Sequence, residues 1–398
     1  MAKFDLAVLG GGPGGYVAAI RGAQHGLKTC IIDKDKLGGI CLNWGCIPTK
    51  ALLKNAEVYH TIKHADTYGI KVENVSVDFK KNIQRSRDIS NRLSKGIEFL
   101  MKKNKITHIT GIGKLTSKTS LEVKNKQKTD TIEADKIILA TGARPKSFPR
   151  MEFDGNRVIS FKEAMLLDSP PKKMIIIGSG AIGSEFAYYY NEFGTEVHMI
   201  EMLDRILPIE DADVSKEVGK SFKKSSIKIS TGTKVSKIES LKTKVKVHTE
   251  RKGKKEILEG DLALLAVGVT GNIEYLGLEE LGIKTNAGTI NINEFNQTNI
   301  PNIFAIGDVS GPPWLAHVAS AQGHVAADYI GGHSPKPVDY SNIPSCTYCQ
   351  PQVGSLGMTE AQAKEAGYDV RVGKFLFQAS GKAMAVGDTT GFVKLVFD

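Results

Sequence analysis

Long apolar runs are missing from this chain. No stretch approaches the roughly 18 consecutive apolar residues that a membrane helix needs, so the sequence excludes a helix-spanning membrane protein. The N-terminus, MAKFDLAVLGGG, lacks the charged, apolar and cleavage regions of a secretory leader and is expected to enter a strand directly. Cysteine is scarce: Cys30, Cys41, Cys46, Cys346 and Cys349 are five in 398 residues, too few for a disulfide scaffold. The expected compartment is the cytoplasm, where a disulfide is catalytic more often than structural. Acidic residues are outnumbered, 43 against 53 Lys and Arg, which gives a net charge of +10. The basic residues are dispersed, however. The densest run, Lys234 to Lys255, alternates with Val, Ile and Thr and reads as a solvated strand hairpin, not a nucleic-acid surface. What remains is an ordinary globular composition, 41% hydrophobic and 24% charged, at a length that predicts two or three domains.

The organisation is a duplication. An apolar strand, Phe4 to Leu9, runs into a Gly-rich turn, a helix over about Tyr16 to His25 and a second strand, Thr29 to Asp33. Two amphipathic helical stretches follow, about Lys50 to Ala65 and Asp78 to Asn104, and then short alternating strands up to Gly142. At Lys172 the opening repeats: strand Met174 to Ile177, a second Gly-rich turn, helix Ser184 to Phe193 and strand Val197 to Glu201. Residues from about Asn272 return to the style of the first unit. Past Pro335 and Pro337, which mark a linker, comes a β-rich segment with one helix, about Thr359 to Ala366. The expected divisions are therefore 1–147, 148–271, 272–338 and 339–398, in an α/β fold with two Rossmann-like dinucleotide-binding domains.

Each Gly-rich turn carries G-x-G-x-x-G between a strand and a helix. The first reads Gly10-Gly11-Gly12-Pro13-Gly14-Gly15, and the second Gly178-Ser179-Gly180-Ala181-Ile182-Gly183. Glycines let the backbone turn tightly and approach a pyrophosphate, which the helix N-terminus then binds through free N–H groups. Asp33 and Glu201 end the second strands, where an acid meets a ribose. One such turn is weak evidence; two with the right flanks point to two dinucleotides, a flavin and a nicotinamide. Glu201 would repel a 2′-phosphate, and Arg205 is the only Arg in the next turns, so NAD is expected over NADP.

The most specific feature is Gly38-Gly39-Ile40-Cys41-Leu42-Asn43-Trp44-Gly45-Cys46-Ile47-Pro48-Thr49-Lys50. Five residues of regular helix rise about 7.5 Å, beyond the roughly 4.4 to 6.8 Å that a disulfide spans between Cα atoms. From spacing alone, Cys41 and Cys46 are either two unbonded thiols or a bridge across a bent turn, for which Gly45 supplies the freedom. Cys346 and Cys349 form a C-x-x-C without two further ligands at suitable spacing, so no metal site is expected and the pair reads as passive thiols.

The blocks GGICLNWGCIPTKALL, ILATGARP, IIIGSGAIGSEFA, IEMLDRILP, IPNIFAIGDV, WLAHVA and IPSCTYCQPQVGSLGMTEAQAKEAG run from near the start of the chain to its end. With them the chain resembles the pyridine nucleotide–disulfide oxidoreductases of the glutathione reductase type, and within them the dihydrolipoamide dehydrogenases. The resemblance implies FAD and NAD as cofactors and a partial α+β interface domain after 338. It implies a Cys41–Cys46 redox disulfide, with Cys46 facing the flavin and Cys41 exchanging with substrate, and Lys50 by the flavin paired with Glu185. Around FAD it implies Gly10, Gly12, Pro13, Gly14, Gly15, Asp33, Lys34, Gly38, Gly39, Ile40, Gly113, Thr141, Gly142, Ala143, Asp308 and the stretch Trp314, Leu315, Ala316 and His317. Around NAD it implies Gly178, Ser179, Gly180, Ala181, Ile182, Gly183, Glu201, Val235 and Gly268. Val269, Thr270 and Gly271 depart from the family's usual Gly-Arg-x-Pro-Asn, which bears on contacts there and not on the fold.

Implied partners are lipoyl domains of an E2 acyltransferase or H protein, and a second copy once the interface domain is complete. Family members continue to a His-Pro motif and a Glu, which supply acid–base catalysis from the partner subunit; here no His follows His333. On that comparison roughly sixty to eighty residues are expected beyond Asp398. Alternatives are another disulfide or metal-ion reductase of the family, an NADH:acceptor diaphorase, or a non-catalytic scaffold. The last two would not need the cysteines.

Overall fold

A computed structural model describes residues 2–398, which divide into two compact units. The first comprises residues to Thr49, Gln84–Arg144 and Val269–Asp339. Its strand β1, Ala2–Leu9, becomes fully buried in its second half because parallel neighbours flank it on both edges. One neighbour is β2, Thr29–Asp33, reached through helix α1, Pro13–Gln24. The other is Thr129–Leu139. Thr107–Thr110 extends the sheet beyond β2, and Ile303–Ala305 joins it beside Thr129–Leu139. Ser120–Lys124 and Ile112–Ser117 add an antiparallel hairpin. A parallel sheet of this kind is covered on both faces. Leu9, Ile32, Ile137 and Ile303 pack in one apolar cluster, while Val8, Ile31, Ile138 and Phe304 pack in the other.

The second unit comprises Lys50–Ile83, Pro145–Gly268 and Tyr340–Asp398. Its parallel sheet runs in the order Lys228–Ser230, Glu196–Ile200, Lys173–Ile177, Leu262–Leu265, Val158–Ile159. The Lys-rich run forms not a hairpin but part of a three-stranded meander, Lys234–Ser240, Val245–Arg251 and Lys254–Gly260. The chain's last segment holds two small antiparallel pairs, Ser345–Thr347 with Val353–Ser355 and Arg371–Leu376 with Phe392–Phe397. Beside the expected helix at Glu360–Glu365 stands a second, Gly381–Val386.

Three further helices matter for the site: α2, Gly39–Trp44, α3, Cys46–Lys63, and α4, Phe79–Lys103. On α4 the buried stripe includes Ser86, Ser90 and Ser94 as well as Ile97 and Met101. Ser94 donates to the Leu37 carbonyl at 2.6 Å, so a polar helix face anchors the loop that leads into α2. No helix among the described residues is long and apolar enough to cross a membrane.

Both dinucleotide-type helices start inside the glycine motif, about three residues before the hydrophobic pattern begins. Pro13 presets φ at the first helical position of α1. Gly15 lies so close to the turn that a Cβ there would stand 1.9 Å from the Gly10 carbonyl oxygen, whereas Gly26, at φ +83°, faces open space. Gly15→Ala is therefore expected to cost more than about 3 kcal/mol, and Gly26→Ala only about 1 to 2 kcal/mol of backbone strain. Urea unfolding of the two variants checks this; equal midpoints would contradict it.

Candidate functional site

The first glycine turn is built from backbone contacts. The Gly10 N–H donates to the Ile32 carbonyl at 2.8 Å, and the Gly38 N–H to the Gly11 carbonyl at 2.7 Å. Asp33 accepts from the Gly11 N–H at 2.6 Å and from the Asp35 N–H at 2.9 Å. Burial raises its carboxyl above the usual range against the pull of those two donors. Asp33 thus clamps the turn, and the adjacent Lys34 is exposed. Gly39, at φ +57°, sits on Gly12: a Cβ on Gly39 would lie 2.6 Å from the Gly12 Cα. Gly12 caps α1 without any side-chain hydrogen bond, so the first-turn N–H groups are not closed off by a capping side chain.

The cysteine segment is seated on that turn. Cys41 lies in α2 and Cys46 opens α3, with Gly45 between them at φ −143°, ψ −109°, outside helical geometry. A Cβ on Gly45 would stand 3.2 Å from the Ile40 carbonyl oxygen and 3.6 Å from the Cys41 Cα. The helix is broken at Gly45, where a bridge between the two cysteines would need a bend. Cys41 is half-buried and Cys46 exposed. Residues that sequence reasoning missed hold the segment in place. Buried Asn43 donates to the Leu37 and Gly39 carbonyls at 3.2 and 3.0 Å. Arg87 donates to the Asn43 carbonyl at 2.7 Å, and its guanidinium lies 5.0 Å from the Trp44 ring centroid. The one signal was an Arg on the buried side of an otherwise amphipathic α4.

The second turn repeats the design in the other unit. The Gly178 N–H donates to the Ile200 carbonyl at 2.9 Å. Buried Glu201 accepts from the Ser179 N–H at 2.9 Å and its hydroxyl at 2.7 Å, and from the Leu203 N–H at 2.9 Å. Gly183 would carry a Cβ 2.1 Å from the Gly178 carbonyl oxygen. Gly180 caps the helix Ala181–Glu192 with no side-chain bond and faces open space. Ala181 and Ile182 open that helix. Arg205 is turned onto the Pro208 carbonyl at 3.3 Å. Val235 is buried in the apolar cluster with Ile177 and Ile200, so packing accounts for its side chain. Gly268, at φ +97°, accepts from the Lys146 N–H at 3.0 Å.

In the same unit Lys50 and Glu185 form a two-pronged ion pair, Nζ to Oε1 and Oε2 at 2.8 and 2.9 Å, with the Glu185 side chain only 5% exposed. Tyr348, which the sequence reading left without a role, donates its backbone N–H to Glu185 at 2.9 Å, and its ring lies 4.8 Å from the Lys50 Nζ. Cys349 is buried beside them. Burial, and then the Glu185 charge, push its thiol up to about 12, which makes it inert.

Around the first turn, Thr141 donates its hydroxyl to the Asn272 carbonyl at 2.8 Å, and the Asn272 side chain returns a bond to the Thr141 carbonyl at 2.9 Å. Ala143 is buried, while Gly142, at φ +69°, faces open space. Gly113 makes room for Leu9, whose Cδ1 would stand 2.5 Å from a Cβ there. Trp314 is 42% exposed and His317 is exposed, with Leu315 and Ala316 starting the helix Ala316–Ile330. Burial alone pushes the Asp308 carboxyl up to about 6.

Comparison with known proteins shows the family. Residues 4–323 match the family model described as pyridine nucleotide-disulphide oxidoreductase, and residues 343–398 match that family's dimerisation domain. The chain is 46% identical to a dihydrolipoyl dehydrogenase of Rhizobium etli over 100% of the chain and 86% of that protein. It is 47% identical to one of Zymomonas mobilis, over 99% of the chain and 85% of that protein. Among solved structures, LpdA of Mycobacterium tuberculosis superposes with a TM-score of 0.91 at 26% identity, covering 100% of the chain and 87% of LpdA. The HOCl-induced flavoprotein disulfide reductase RclA of Escherichia coli does so at 0.89 and 27%, with the same coverage. The family's cofactors are FAD and NAD(H), and the residues fit both. Each turn offers an uncapped helix N-terminus beside glycines with no room for a side chain, and Asp308 is a desolvated acid with no donor among the described residues to offset its burial.

Asp308 gives a pH test. Its folded value, about 6, exceeds the roughly 3.9 of an unfolded Asp, so the folded state binds the proton more tightly. The stability contributed is full below about pH 4 and lost as pH rises through about 6. Without flavin, Asp308→Asn is expected to be more stable than the wild type at pH 8 by on the order of 1 to 3 kcal/mol, and the gap should close below about pH 4. Thermal unfolding across pH measures it; a gap that does not change with pH would contradict the assignment.

Proposed function

The chain belongs to the pyridine nucleotide–disulphide oxidoreductase family, and from that premise we propose that it is a dihydrolipoyl dehydrogenase, oxidising a protein-bound dihydrolipoyl dithiol to the disulfide with reduction of NAD+. The relatives' names supply the substrate class. The observation that carries the reading to this chain is the broken junction of α2 and α3, with Cys41 and Cys46 on either side of Gly45 and Gly39 seated on the first dinucleotide turn. Bound FAD supplies the two-electron relay between the cysteine pair and the nicotinamide.

The cysteines' share is thiol–disulfide exchange. In the oxidised state the pair is a Cys41–Cys46 bridge. A substrate thiolate attacks the Cys41 sulfur, forming a mixed disulfide and releasing Cys46 as a thiolate. The second substrate thiolate attacks its own sulfur in that mixed disulfide, closing the lipoyl disulfide and releasing Cys41. Two electrons have then moved from substrate to the pair. Cys46 is the suited leaving group because it opens the 18-residue α3, whose N-terminal partial charge stabilises a thiolate. Lys50 follows four residues later in the sequence. Held by Glu185, it would be the cation that balances negative charge at the flavin. Glycines 10, 12, 14 and 15 with Asp33 and Asp308 would hold FAD, and glycines 178, 180 and 183 with Glu201 would hold NAD.

The partners in this reading are lipoyl domains of an E2 acyltransferase or H protein, and a second copy of the chain, in the cytoplasm. In the strand pair Arg371–Leu376 with Phe392–Phe397, Phe375, Val393, Leu395 and Phe397 are exposed on one face, an apolar surface suited to association.

The FAD-loaded enzyme should oxidise dihydrolipoamide with NAD+. Cys41→Ser and Cys46→Ser should each lose at least about a thousandfold in that rate, the scale of removing a nucleophile that acts as part of a unit, while retaining NADH oxidation with a quinone acceptor. Stopped-flow and steady-state assays measure both. Dithiol turnover that survives either substitution would refute the mechanism.

A further inference from the structure

We propose that His25 and His333 form a binding site for a borderline divalent metal ion of the kind imidazole prefers, Zn2+, Ni2+ or Cu2+, which staples together the far ends of two packed helices. His25 caps the C-terminus of α1, and His333 follows the helix Ala316–Ile330, both within the first unit. His25 Nδ1 and His333 Nε2 stand 3.0 Å apart. With nitrogen–metal bonds of about 2.0 to 2.1 Å, two nitrogens at that spacing subtend roughly a right angle at an ion, as neighbouring ligands do. The ring centroids are only 4.3 Å apart at an interplanar angle of 37°. Without an ion the His333 Nε2–H donates to His25 Nδ1 across that gap, and an ion that displaces this proton takes up both nitrogens.

The far side of the His25 ring is already engaged. Its Nε2 lies 2.6 Å from Asp328 Oδ1, which also accepts from the Arg21 Nε at 2.5 Å. A carboxylate acceptor fixes the proton on Nε2 and turns the Nδ1 lone pair toward His333, the carboxylate–histidine arrangement that supports metal ligands. Arg21 offsets the Asp328 charge. Asp328 also fixes the loop, since its carbonyl accepts from the His333 N–H at 3.0 Å. Gly331 keeps space for the ring, because a Cβ there would meet His25 at 3.0 Å. No cluster of three or more His, Cys, Asp or Glu suited to a metal exists among the described residues. The site thus offers two protein ligands, and water would complete the coordination.

The consequence is mechanical. α1 and the helix Ala316–Ile330 touch backbone to backbone: a Cβ on Gly323 would stand 2.7 Å from the Gly14 carbonyl oxygen. The N-terminal ends of these helices carry the first glycine turn and the Trp314–His317 stretch. An ion across their other ends holds the pair in register and stabilises the folded state by mass action.

The test uses the FAD-loaded, oxidised enzyme titrated with Cu(II), followed by electron paramagnetic resonance and by the thermal unfolding midpoint. The expected result is one ion with imidazole nitrogen couplings and a raised midpoint. His333→Gln, on an exposed loop, should weaken binding at least tenfold and abolish the midpoint shift, and Asp328→Asn should weaken it about tenfold. Wild-type binding in His333→Gln, or sulfur ligation lost only in Cys41→Ser, would overturn the proposal.

Discussion

The contact on which the first unit depends is the approach of Gly39 to Gly12. Two backbones meet where any side chain would stand 2.6 Å from a Cα, and that approach seats the cysteine segment on the dinucleotide turn. The layout of the cysteine segment follows from this constraint. Gly38 and Gly39 must turn left-handed so that α2 can start there. Asn43 then ties α2 back to Leu37 and Gly39, and Arg87 secures its end. Gly45 breaks the helix so that Cys41 and Cys46 belong to different helices. The chemistry is thus positioned by main chain, with side chains fixing the main chain.

A second economy recurs in both units. Asp33 and Glu201 are read most simply as ribose acceptors, yet each also accepts from the backbone of its own glycine turn, at 2.6 Å from Gly11 and 2.9 Å from Ser179. An acid at the end of the second strand therefore both organises the phosphate-binding turn and presents a carboxylate beside it. The outer oxygen of each carboxylate receives a single N–H, from Asp35 or Leu203, and keeps a lone pair for a hydroxyl. In the proposed reading the same carboxylate would serve both fold and ligand.

Much of this was legible in the sequence because the constraints are local. The two glycine motifs, their flanking strands and the acids at the strand ends are short-range patterns, and Gly45 is where a bridge between the cysteines would need a bend. The helix starts at Pro13 and Ala181 were placed late, since glycines inside the motif resemble loop while their backbones are already helical. Long-range partners were not legible. Nothing in the spacing brings Tyr348 to Glu185, 163 positions away, or Asp328 to His25, 303 positions away. The serine stripe of α4 was hidden for another reason: buried hydroxyls bonded to carbonyls look like solvent-facing residues in a hydrophobic pattern.

In the proposed function the cysteine pair is a second two-electron store beside the flavin. Anaerobic reductive titration of the FAD-loaded enzyme with dithionite counts those electrons directly. Two electron pairs taken up per chain are expected in the wild type and one in Cys46→Ser. Uptake of a single pair by the wild type, with the cysteines intact, would contradict it.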